Sequence, residues 1–508
     1  MSSGVNACGD FYDVVVIGSG IGGLTAAAVL AKVGRKVLVV EAAPQPGGCL
    51  QAFQRGPYCF DSSVHMVAGC GRGAGGIIDR LLGALGVHDQ CRFVRIDPLY
   101  TVVFPGLRHV VPAGVEDFSE AHLRQFPDQA EALRRLIKRC SRVAHECLHM
   151  PAPWRFWKLL GRSLRMPRLI RDLRATVSET TRKHFDDPRA RSLFEAWWVY
   201  CGLSPSKLSF ALWATMLISF LEQGAFYCRG SFQKIPDALA AALRESGGEL
   251  LLETPVQRII VDRGRACGVV LADGRRIGAA TVISNADATQ TFQNLVGPEH
   301  LPGRFVKRLR RMRPSLSGFA VYLATDFDVR QSGWSYETIV YPGLDHERTF
   351  GALRHGRPDC TVVTIPSLLD RALAPPGEHV MRISSLMPYR IGRPWEAEEE
   401  RYLDLLLDRI DPHLPGLRRH IKHIEVMSPR GRERCTRNHE GAMFGWELAP
   451  DQIGLGRLPQ RTPVGQLYLS SHWAQPGTGV SGTAITGLQT AQQILGYRDE
   501  EALWRAMR

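Results

Sequence analysis

The sequence predicts an α/β protein of more than one domain, built on a Rossmann-like nucleotide-binding unit. Within residues 13–41, a β-branched run is followed by a glycine-rich loop, an alanine-rich stretch and a second β-branched run. Another glycine-rich strand–loop–helix pattern lies between residues 466 and 495. The length of 508 residues allows two to four domains, since one domain usually holds about 100–200 residues.

The first strand and its loop form the start of the predicted nucleotide site. Asp13 to Ile17 is typical of a buried parallel strand, and GSGIGG follows it at positions 18–23. Gly18 permits the tight turn, Gly20 lets the backbone approach a pyrophosphate, and Gly23 lets the helix pack closely on the strand. The helix N-terminus then presents free N–H groups to the phosphates.

The helix and second strand complete this unit. Leu24 to Val33 is predicted to be helical, Gly34 ends the helix, and Lys36 to Val40 is the second strand. Glu41 follows that strand, 21 residues after Gly20. Its carboxylate suits the ribose hydroxyls and would repel a 2′-phosphate. Because strand, loop, helix and acid occur together at the right spacing, the pattern is specific for a dinucleotide.

The later elements include a second glycine-rich unit, so we expect both ends of the chain to build one nucleotide-binding domain into which the middle is inserted. Asp273-Gly274 is a hairpin signal, and Pro476 to Gly482 is a glycine-rich loop before a helix from Thr483 to Leu495. That loop resembles a second anion site of strand–loop–helix type. The other predicted elements are a helix at 238–243 and strands at 249–252, 256–261, 266–271, 281–284 and 466–470.

Composition and charge are those of an ordinary globular protein. Hydrophobic residues make up 44% and charged residues 22% of the chain, which excludes disorder as the main state. Lysine and arginine number 63, aspartate and glutamate 50, and the formal net charge is +13. This excess is compatible with a nucleic acid, an anionic membrane surface or an acidic cofactor as partner.

Cysteine spacing and apolar runs bear on the cellular compartment. The twelve cysteines include no C-x-x-C pair, which argues against zinc ribbons and thioredoxin-like chemistry. We expect reduced thiols in a cytoplasmic protein, and residues 1–13 show no signal-peptide pattern. The longest apolar stretch, Leu208 to Leu221, has 14 residues, whereas a spanning helix needs about 20. We therefore expect a buried helix there and no integral membrane segment.

Two further motifs match known signatures but lack the context that those signatures require. His145, Glu146 and His149 fit H-E-x-x-H, yet Pro151 ends the helix soon afterwards, so we expect no metal site. The sequence GRGAGG at 71–76 has no β-branched strand before it and no acid at the right distance, so we expect a flexible turn. No G-x-S-x-G elbow occurs, which argues against a serine hydrolase.

Residues 151–183 are strongly basic and carry interleaved aromatic and aliphatic residues. They hold nine lysines and arginines and two acids. Such a mixture fits a helix that lies in a membrane interface with its arginines at the phosphates. Single-stranded nucleic acid and a solvated helix face are alternatives, but no nucleic-acid fold signature accompanies the charge. We expect a peripheral membrane protein and no nucleic-acid partner.

The motifs of this chain resemble those of a known family. Residues 14–48, which end in Gly47-Gly48, are similar to the FAD-binding signature of flavin amine oxidases and phytoene desaturases. The resemblance to the carotenoid isomerase, phytoene desaturase and retinol saturase family of FAD-dependent oxidoreductases extends over most of the chain. It rests further on residues 56–67, 230–275, 284–292 and 445–491.

The resemblance implies one FAD and a set of residues that hold it. Implied cofactor-binding residues are Gly18, Gly20, Gly22, Gly23, Glu41, Gly47, Gly48, Val256, His472, Gly479 and Val480. His472 stands where the family usually has an acidic residue near the ribityl chain. His65 is the candidate catalytic residue, as a proton donor or acceptor beside the flavin. The implied FAD domain comprises residues 1–95, 228–292 and 455–508, with an inserted α+β substrate and membrane-docking domain at 96–227 and 293–454.

The implied activity is oxidation or reduction of carbon–carbon bonds in an apolar polyene. A flavin takes a hydride from such a bond or returns one, while the protein supplies alignment and excludes water. Desaturase or saturase action on a carotenoid-like or other isoprenoid substrate is the first hypothesis, and redox-neutral cis–trans isomerisation with reduced FAD is the alternative. A flavin amine oxidase and a non-enzymatic polyene binder stay open. Residues 203–226 and 319–323 are apolar enough to line a tunnel or to form plain core.

Overall fold

The computed structural model describes residues 11–148 and 167–508, which form two seven-stranded sheets, two small sheets and surrounding helices. The strands are β1 (Phe11–Ile17), β2 (Val37–Val40), β3 (Ala52–Arg55), β4 (Tyr58–Asp61), β5 (Val67–Ala68), β6 (Phe93–Arg95), β7 (Tyr100–Phe104), β8 (Leu107–Val111), β9 (Ala225–Cys228), β10 (Glu249–Leu251), β11 (Val256–Asp262), β12 (Arg265–Leu271), β13 (Arg276–Ser284), β14 (Ser317–Thr325), β15 (Glu337–Val340), β16 (Thr361–Thr364), β17 (His379–Met387), β18 (Ile421–Met427) and β19 (Leu467–Leu469).

The α-helices are distributed along the whole chain. They are α1 (Ile21–Lys32), α2 (Ile77–Ala84), α3 (Val115–Gln125), α4 (Ala130–Leu148), α5 (Pro167–Arg174), α6 (Val177–Thr181), α7 (Pro188–Glu195), α8 (Phe210–Gln223), α9 (Lys234–Glu245), α10 (Gly303–Arg311), α11 (His346–Arg354), α12 (Glu399–Ile410), α13 (Pro429–Thr436), α14 (Gly479–Leu495) and α15 (Glu500–Ala506). In the described part of the chain, no helix is both long and apolar enough to cross a membrane.

The first sheet has the order β10–β2–β1–β13–β12–β11, and β19 pairs with the end of β13. Strands β10, β2, β1, β13 and β19 run parallel, while β11 and β12 form an antiparallel extension. Strands β1 and β2 are largely buried on both faces, which explains their β-branched composition. Three separate stretches of the chain therefore contribute to one sheet.

Helix α1 packs against α9 and α14 on one side of this sheet. Its alanines from Ala26 to Ala31 are buried, and such small side chains let three helices approach closely. Helices α1 and α14 both begin inside their glycine-rich loops. The sequence predicted a start at Thr483 for α14, but the helix begins at Gly479, whose φ of +76° makes the turn into it. Glycine adopts that left-handed conformation without the steric penalty of a Cβ.

The second sheet has the order β18–β14–β17–β16–β15–β7–β8 and is antiparallel except between β15 and β7. One face of it carries the core formed with α12, and the other faces the first sheet and the helical layer. That layer contains α3 to α8, and within it α8 packs against α4. Three tryptophans of this part of the chain are buried: Trp197, Trp198 and Trp213. The apolar stretch 208–221 thus coincides with the buried helix α8, as the sequence predicted.

Candidate cofactor and substrate site

A cavity of about 890 Å³ lies between the two sheets and the helical layer. Residues from the glycine-rich loops form one wall, and residues from β14, β17, α8 and α13 form the rest. Ten of the residues singled out in the sequence line it: Gly18, Gly20, Glu41, Gly47, Gly48, His65, Val256, His472, Gly479 and Val480. The fold therefore brings together motifs that are up to 460 residues apart in the chain.

Gly22 and Gly23 do not line the cavity but fix its wall. A Cβ on Gly22 would stand 2.6 Å from the carbonyl oxygen of Ser470, and one on Gly23 would stand 2.4 Å from that of Gly18. Real Cβ atoms do not approach backbone that closely, so both positions require glycine. Gly22 thereby lets α1 pack against the end of β19, and Gly23 lets the loop fold back on its own strand.

Glu41 is held by the glycine-rich turn. Its Oε2 accepts hydrogen bonds from the backbone N–H of Ser19 at 2.7 Å and from the Ser19 hydroxyl at 2.6 Å. Its Oε1 accepts from the N–H of Ala43 at 2.8 Å. No described cation lies within 4 Å of the carboxylate. Oε2 uses both of its lone pairs on Ser19, whereas Oε1 keeps one, so the side chain can still accept a hydrogen bond from one further hydroxyl group.

Asn285 joins the two ends of the chain at this wall, and sequence reasoning did not name it. Its Oδ1 accepts from the N–H of Gly20 at 2.9 Å, and its Nδ2 donates to the carbonyl of Ser470 at 2.5 Å. The side chain thus bridges the first glycine-rich loop and the end of β19. The signal was present, because Ser284-Asn285 follows a β-branched run and the ends of parallel strands meet at one sheet edge.

His472 lies at the cavity wall with an unused polar atom. Its Nε2 is buried and has no hydrogen-bond partner in the described structure. Burial, and then the nearby Arg457 guanidinium, lower its pKa to about 3, so the imidazole is neutral at pH 7. The guanidinium of Arg457 donates to the carbonyl of His472. A neutral imidazole offers one hydrogen bond to a hydroxyl or ring nitrogen, where the family's usual acid would accept only.

This wall fits an extended dinucleotide. At the lining residues Gly477 and Gly479 a Cβ would meet nothing within 4 Å, Glu41 retains acceptor capacity, and His472 offers an unpaired nitrogen. The first turns of α1 and α14 carry no side-chain cap, so their N–H groups are free for anionic oxygens. A dinucleotide that spans from Gly18 to Gly479 would use both helix ends.

Opposite this wall, His65 belongs to a buried polar cluster with Tyr200, Glu337 and Arg382. Nη2 of Arg382 lies 3.0 Å from Nδ1 of His65, and Nε2 of His65 lies 3.4 Å from Oε1 of Glu337. The Tyr200 hydroxyl also donates to Oε1 of Glu337. His65, Tyr200 and Arg382 line the cavity, while Glu337 stands behind them with no exposed surface.

Burial controls the protonation of this cluster. Burial, followed by the charge of Arg382, lowers the pKa of His65 to about 3. Burial raises the pKa of Glu337 from 4.5 to about 7, although Tyr200 and Arg382 oppose the shift. Nδ1 of His65 lies 3.0 Å from Nη2 of Arg382, which can only donate, and 3.3 Å from the carbonyl oxygen of Ser63, which can only accept. The shorter contact favours Nδ1 as the acceptor and Nε2 as the protonated nitrogen. With a pKa of about 7, Glu337 is partly protonated near neutral pH, so the cluster can both take up and release a proton.

The cavity continues from this cluster along an apolar arm. Ring contacts lead from His65 to Tyr200 at 5.3 Å, from Tyr200 to Trp197 at 5.6 Å, and from Trp197 to Phe220 at 5.0 Å. Further lining residues of this arm are Leu212, Met216, Leu148 and Leu173. Both apolar stretches proposed from the sequence thus contribute to it, since Phe319 and Ala320 also line the cavity.

The described residues of the H-E-x-x-H motif and the GRGAGG motif take part in ordinary packing. Nε2 of His145 lies 3.0 Å from Oε2 of Glu222, on the neighbouring helix α8. Within residues 11–148 and 167–508, no group of three His, Cys, Asp or Glu side chains is arranged to hold a metal ion. In GRGAGG, Gly76 packs against the backbone of Gly69, where a Cβ would stand 2.3 Å from the carbonyl oxygen. His149 lies outside the described residues.

Comparison with known proteins agrees with this geometry. The model of the family described as flavin containing amine oxidoreductase matches residues 21–495. Prolycopene isomerase of Daucus carota is 27% identical over 502 residues, covering 95% of this chain and 80% of that protein. The lycopene-forming phytoene desaturase of a Paracoccus strain is 28% identical over 502 residues, covering 95% and 97%.

A solved structure shows the same fold. Putrescine oxidase bound to putrescine matches with a TM-score of 0.66 at 18% identity, covering 96% of this chain and 99% of that one. The α/β fold with a Rossmann-like domain and a substrate domain, the family resemblance and the FAD cofactor are thereby confirmed. The individual site residues and the domain boundaries given above stay predictions, although all eleven implied FAD residues line this wall or pack within it.

Proposed function

This chain belongs to the flavin containing amine oxidoreductase family and is an FAD-dependent enzyme, and on this premise we propose that it oxidises or reduces carbon–carbon bonds of an apolar conjugated polyene. The observation that carries the proposal is the union, in one cavity, of the dinucleotide wall with a long apolar arm. The relatives named prolycopene isomerase and phytoene desaturase support the same substrate class.

The cofactor supplies the redox chemistry, and the chain supplies its setting. Bound FAD can accept a hydride from a carbon–carbon bond or, when reduced, return one. Trp197, Leu212 and Phe220 would hold the chain of the substrate in place and exclude water from the reacting bond. Removing or adding a hydrogen pair also requires one proton to leave or arrive. Tyr200 contacts both the cavity and Glu337, so a proton held on Glu337 can be exchanged through the Tyr200 hydroxyl.

Redox-neutral isomerisation is the second candidate, favoured by the prolycopene isomerase relative. An isomerase would need reduced FAD but would return it unchanged. The same polar cluster would then hold a proton without net transfer, whereas in a desaturase it would take up one proton each time a hydride leaves the substrate.

An anaerobic single-turnover experiment separates these candidates. The purified protein is reduced, mixed with a carotenoid-type polyene, and followed by flavin absorbance and by mass and chromatography of the polyene. A saturase re-oxidises its flavin and adds two mass units, whereas an isomerase changes only the retention time. If the enzyme is a desaturase, the oxidised protein should lose its flavin absorbance when the polyene is added. If the FAD-loaded protein shows no flavin re-oxidation, no change in the retention time of the polyene and no flavin bleaching, the proposal is contradicted.

We further propose that residues 151–183, which include the described basic helix α5, dock the enzyme on an anionic membrane. Residues 149–166 lie outside the described structure, but Leu148 and Leu173, on either side of them, both line the apolar arm. Described residues on both sides of residues 149–166 therefore lie beside the cavity. A long hydrocarbon at about 0.8 kcal/mol per carbon is costly to pass through water, so direct transfer from bilayer to cavity is favoured.

Vesicle co-sedimentation tests this docking. Replacing Arg155, Lys158, Arg162 and Arg165 by glutamine should release the protein from anionic vesicles, since each basic residue near the surface contributes about 1 kcal/mol. A matched control replaces Arg304, Lys307, Arg310 and Arg311 of the exposed helix α10 and should leave binding intact. Flavin content should be equal in both variants. If both variants lose binding equally, only the net charge of the protein matters and the segment is not the docking surface.

A further inference from the structure

Three arginines are buried in the described part of the chain, and none of them has a carboxylate partner within 4 Å. Arg382 is 8% exposed, Arg432 6% and Arg457 1%. A buried guanidinium is normally paired, because removal from water penalises an isolated charge heavily. Arg457 lies behind His472 at the cofactor wall. The other two line the cavity itself.

Arg382 and Arg432 converge on one residue from two different elements. Arg382, in β17, donates from Nη1 to the carbonyl of Ser63, and Arg432, in α13, donates from Nη1 to the Ser63 hydroxyl at 3.3 Å. The Nε atoms of both arginines are buried and have no hydrogen-bond partner in the described structure. Glu337 faces Arg382 from beyond His65 but forms no ion pair with it.

The segment that carries Ser63 is fixed, so the two guanidinium groups are held in place. The hydroxyl of Tyr322 donates to the carbonyl of Ser62, and the hydroxyl of Tyr336 donates to the carbonyl of His65. Arg382 also reaches Nδ1 of His65 at 3.0 Å. Both side chains line the cavity, and two guanidinium groups held in this way match the two oxygens of a carboxylate.

We infer that Arg382 and Arg432 form an anion-binding site at the polar end of the cavity, and that the substrate carries a carboxylate at one end of its apolar chain. The inference rests on the proposed function and narrows its substrate class. A pure hydrocarbon would leave both guanidinium groups unpaired inside the protein. A chain with one acidic end would pair them and place its apolar remainder along Tyr200, Trp197 and Phe220.

The ordering of the cavity favours the substrate as the source of this anion. Arg382 contacts His65, and from His65 the ring contacts lead directly into the apolar arm. On the cofactor wall, the uncapped helix ends of α1 and α14 would hold the diphosphate, and Arg457 lies behind that wall. A carboxylate held by Arg382 would leave the chain beside it within the arm, next to the Tyr200 hydroxyl.

Binding of a polyene acid and its ester tests the inference on the FAD-loaded protein. The probes are parinaric acid, a fluorescent conjugated fatty acid, and its methyl ester, titrated separately at pH 8. The acid should bind the parent protein at least tenfold more tightly than the ester. Arg432→Gln and Arg382→Gln should each bring this ratio close to one, and Arg432→Lys should retain part of it because the charge remains without the planar fork.

Arg430→Gln is the matched control, since Arg430 lies on the same helix α13, is exposed and pairs with Glu396. It should leave the ratio unchanged. FAD content and the midpoint potential of the bound flavin are measured on every variant. Equal binding of acid and ester to the parent overturns the inference while leaving the proposed function intact. The inference is also overturned if Arg432→Gln and Arg382→Gln keep the parental ratio of acid to ester binding while the midpoint potential of the flavin shifts, because the guanidinium groups then serve the cofactor. If neither probe binds the FAD-loaded parent, the apolar-chain proposal fails as well.

Discussion

The bridge formed by Asn285 provides the sharpest test of how the two ends of the chain assemble the cofactor wall. Asn285→Ala removes two hydrogen bonds, to Gly20 and Ser470. Asn285→Asp keeps the acceptor that Gly20 uses but replaces the donor to Ser470 by an oxygen. Two oxygens then face each other where the N···O distance is 2.5 Å. The alanine variant thus measures the loss of the bridge, and the aspartate variant measures its inversion.

The two variants should differ in size of effect and in pH dependence. At about 1 kcal/mol per hydrogen bond, Asn285→Ala should lower the free energy of unfolding by about 2 kcal/mol at any pH. Asn285→Asp should lower it by about 3–4 kcal/mol at pH 7.5, because a charged acceptor faces a carbonyl in a partly buried site. The introduced carboxyl has a raised pKa in the folded state, so its contribution is fully present below the unfolded value of about 3.9 and is lost as the pH rises. Lowering the pH lets the neutral carboxyl donate to Ser470 and should restore stability.

Denaturant unfolding of the FAD-free protein between pH 5 and 8 measures both effects, and flavin fluorescence quenching measures FAD affinity. Asn285→Asp should bind FAD more weakly than Asn285→Ala, since it places a negative charge beside the predicted diphosphate position. A pH-independent deficit for Asn285→Asp, or an alanine variant with parental stability and FAD affinity, would refute the bridge as an energetic link.

Three further predictions concern single groups of the site. Glu41→Ala should weaken FAD binding by about 1–3 kcal/mol, because ribose hydroxyls lose their acceptor; equilibrium titration measures it, and unchanged affinity would contradict the assignment. Glu337→Gln should flatten the dependence of the free energy of unfolding on pH. The pKa of Glu337 rises from 4.5 to about 7 on folding, so the free energy of unfolding of the parent should fall by about 3 kcal/mol as the pH rises through this range. The variant has no carboxyl at this position and should not show that fall. Gly22→Ala should destabilise by about 1–3 kcal/mol because its Cβ meets the Ser470 carbonyl at 2.6 Å, while Gly83→Ala, which meets nothing within 4 Å in helix α2, should be neutral or slightly stabilising; equal thermal unfolding of the two would be the contrary result.

Local motifs allowed much of the fold to be predicted. The strand–loop–helix pattern at the N-terminus could be predicted because its elements and Glu41 follow one another directly in the sequence. The C-terminal pattern could be recognised for the same reason. The error in the start of α14 arose because Gly479 to Gly482 read as loop, whereas the left-handed φ of Gly479 turns the chain directly into the helix.

The polar cluster could not be predicted from sequence. His65 was recognised as a candidate, but Tyr200, Glu337 and Arg382 come from three different elements that only the second sheet and its helical layer bring together. Each is an ordinary residue in its own stretch of sequence. Their significance depends on burial and on distances of 3–3.4 Å between atoms far apart in the chain, and neither quantity has a local sequence signal.

The late position of β19 in the sequence determines when the first sheet can be completed during synthesis of the chain. Strand β13 is made about 180 residues before β19 pairs with it, which at roughly 5–20 residues per second is an interval of about ten to forty seconds on the ribosome. During that interval the outer edge of β13, from Val282 to Ser284, has no strand to pair with, and Asn285 has no Ser470 carbonyl to meet. A free edge of this kind is a site for association with other chains, so the nascent protein should depend on chaperones at this stage, and supplying flavin early should not protect it.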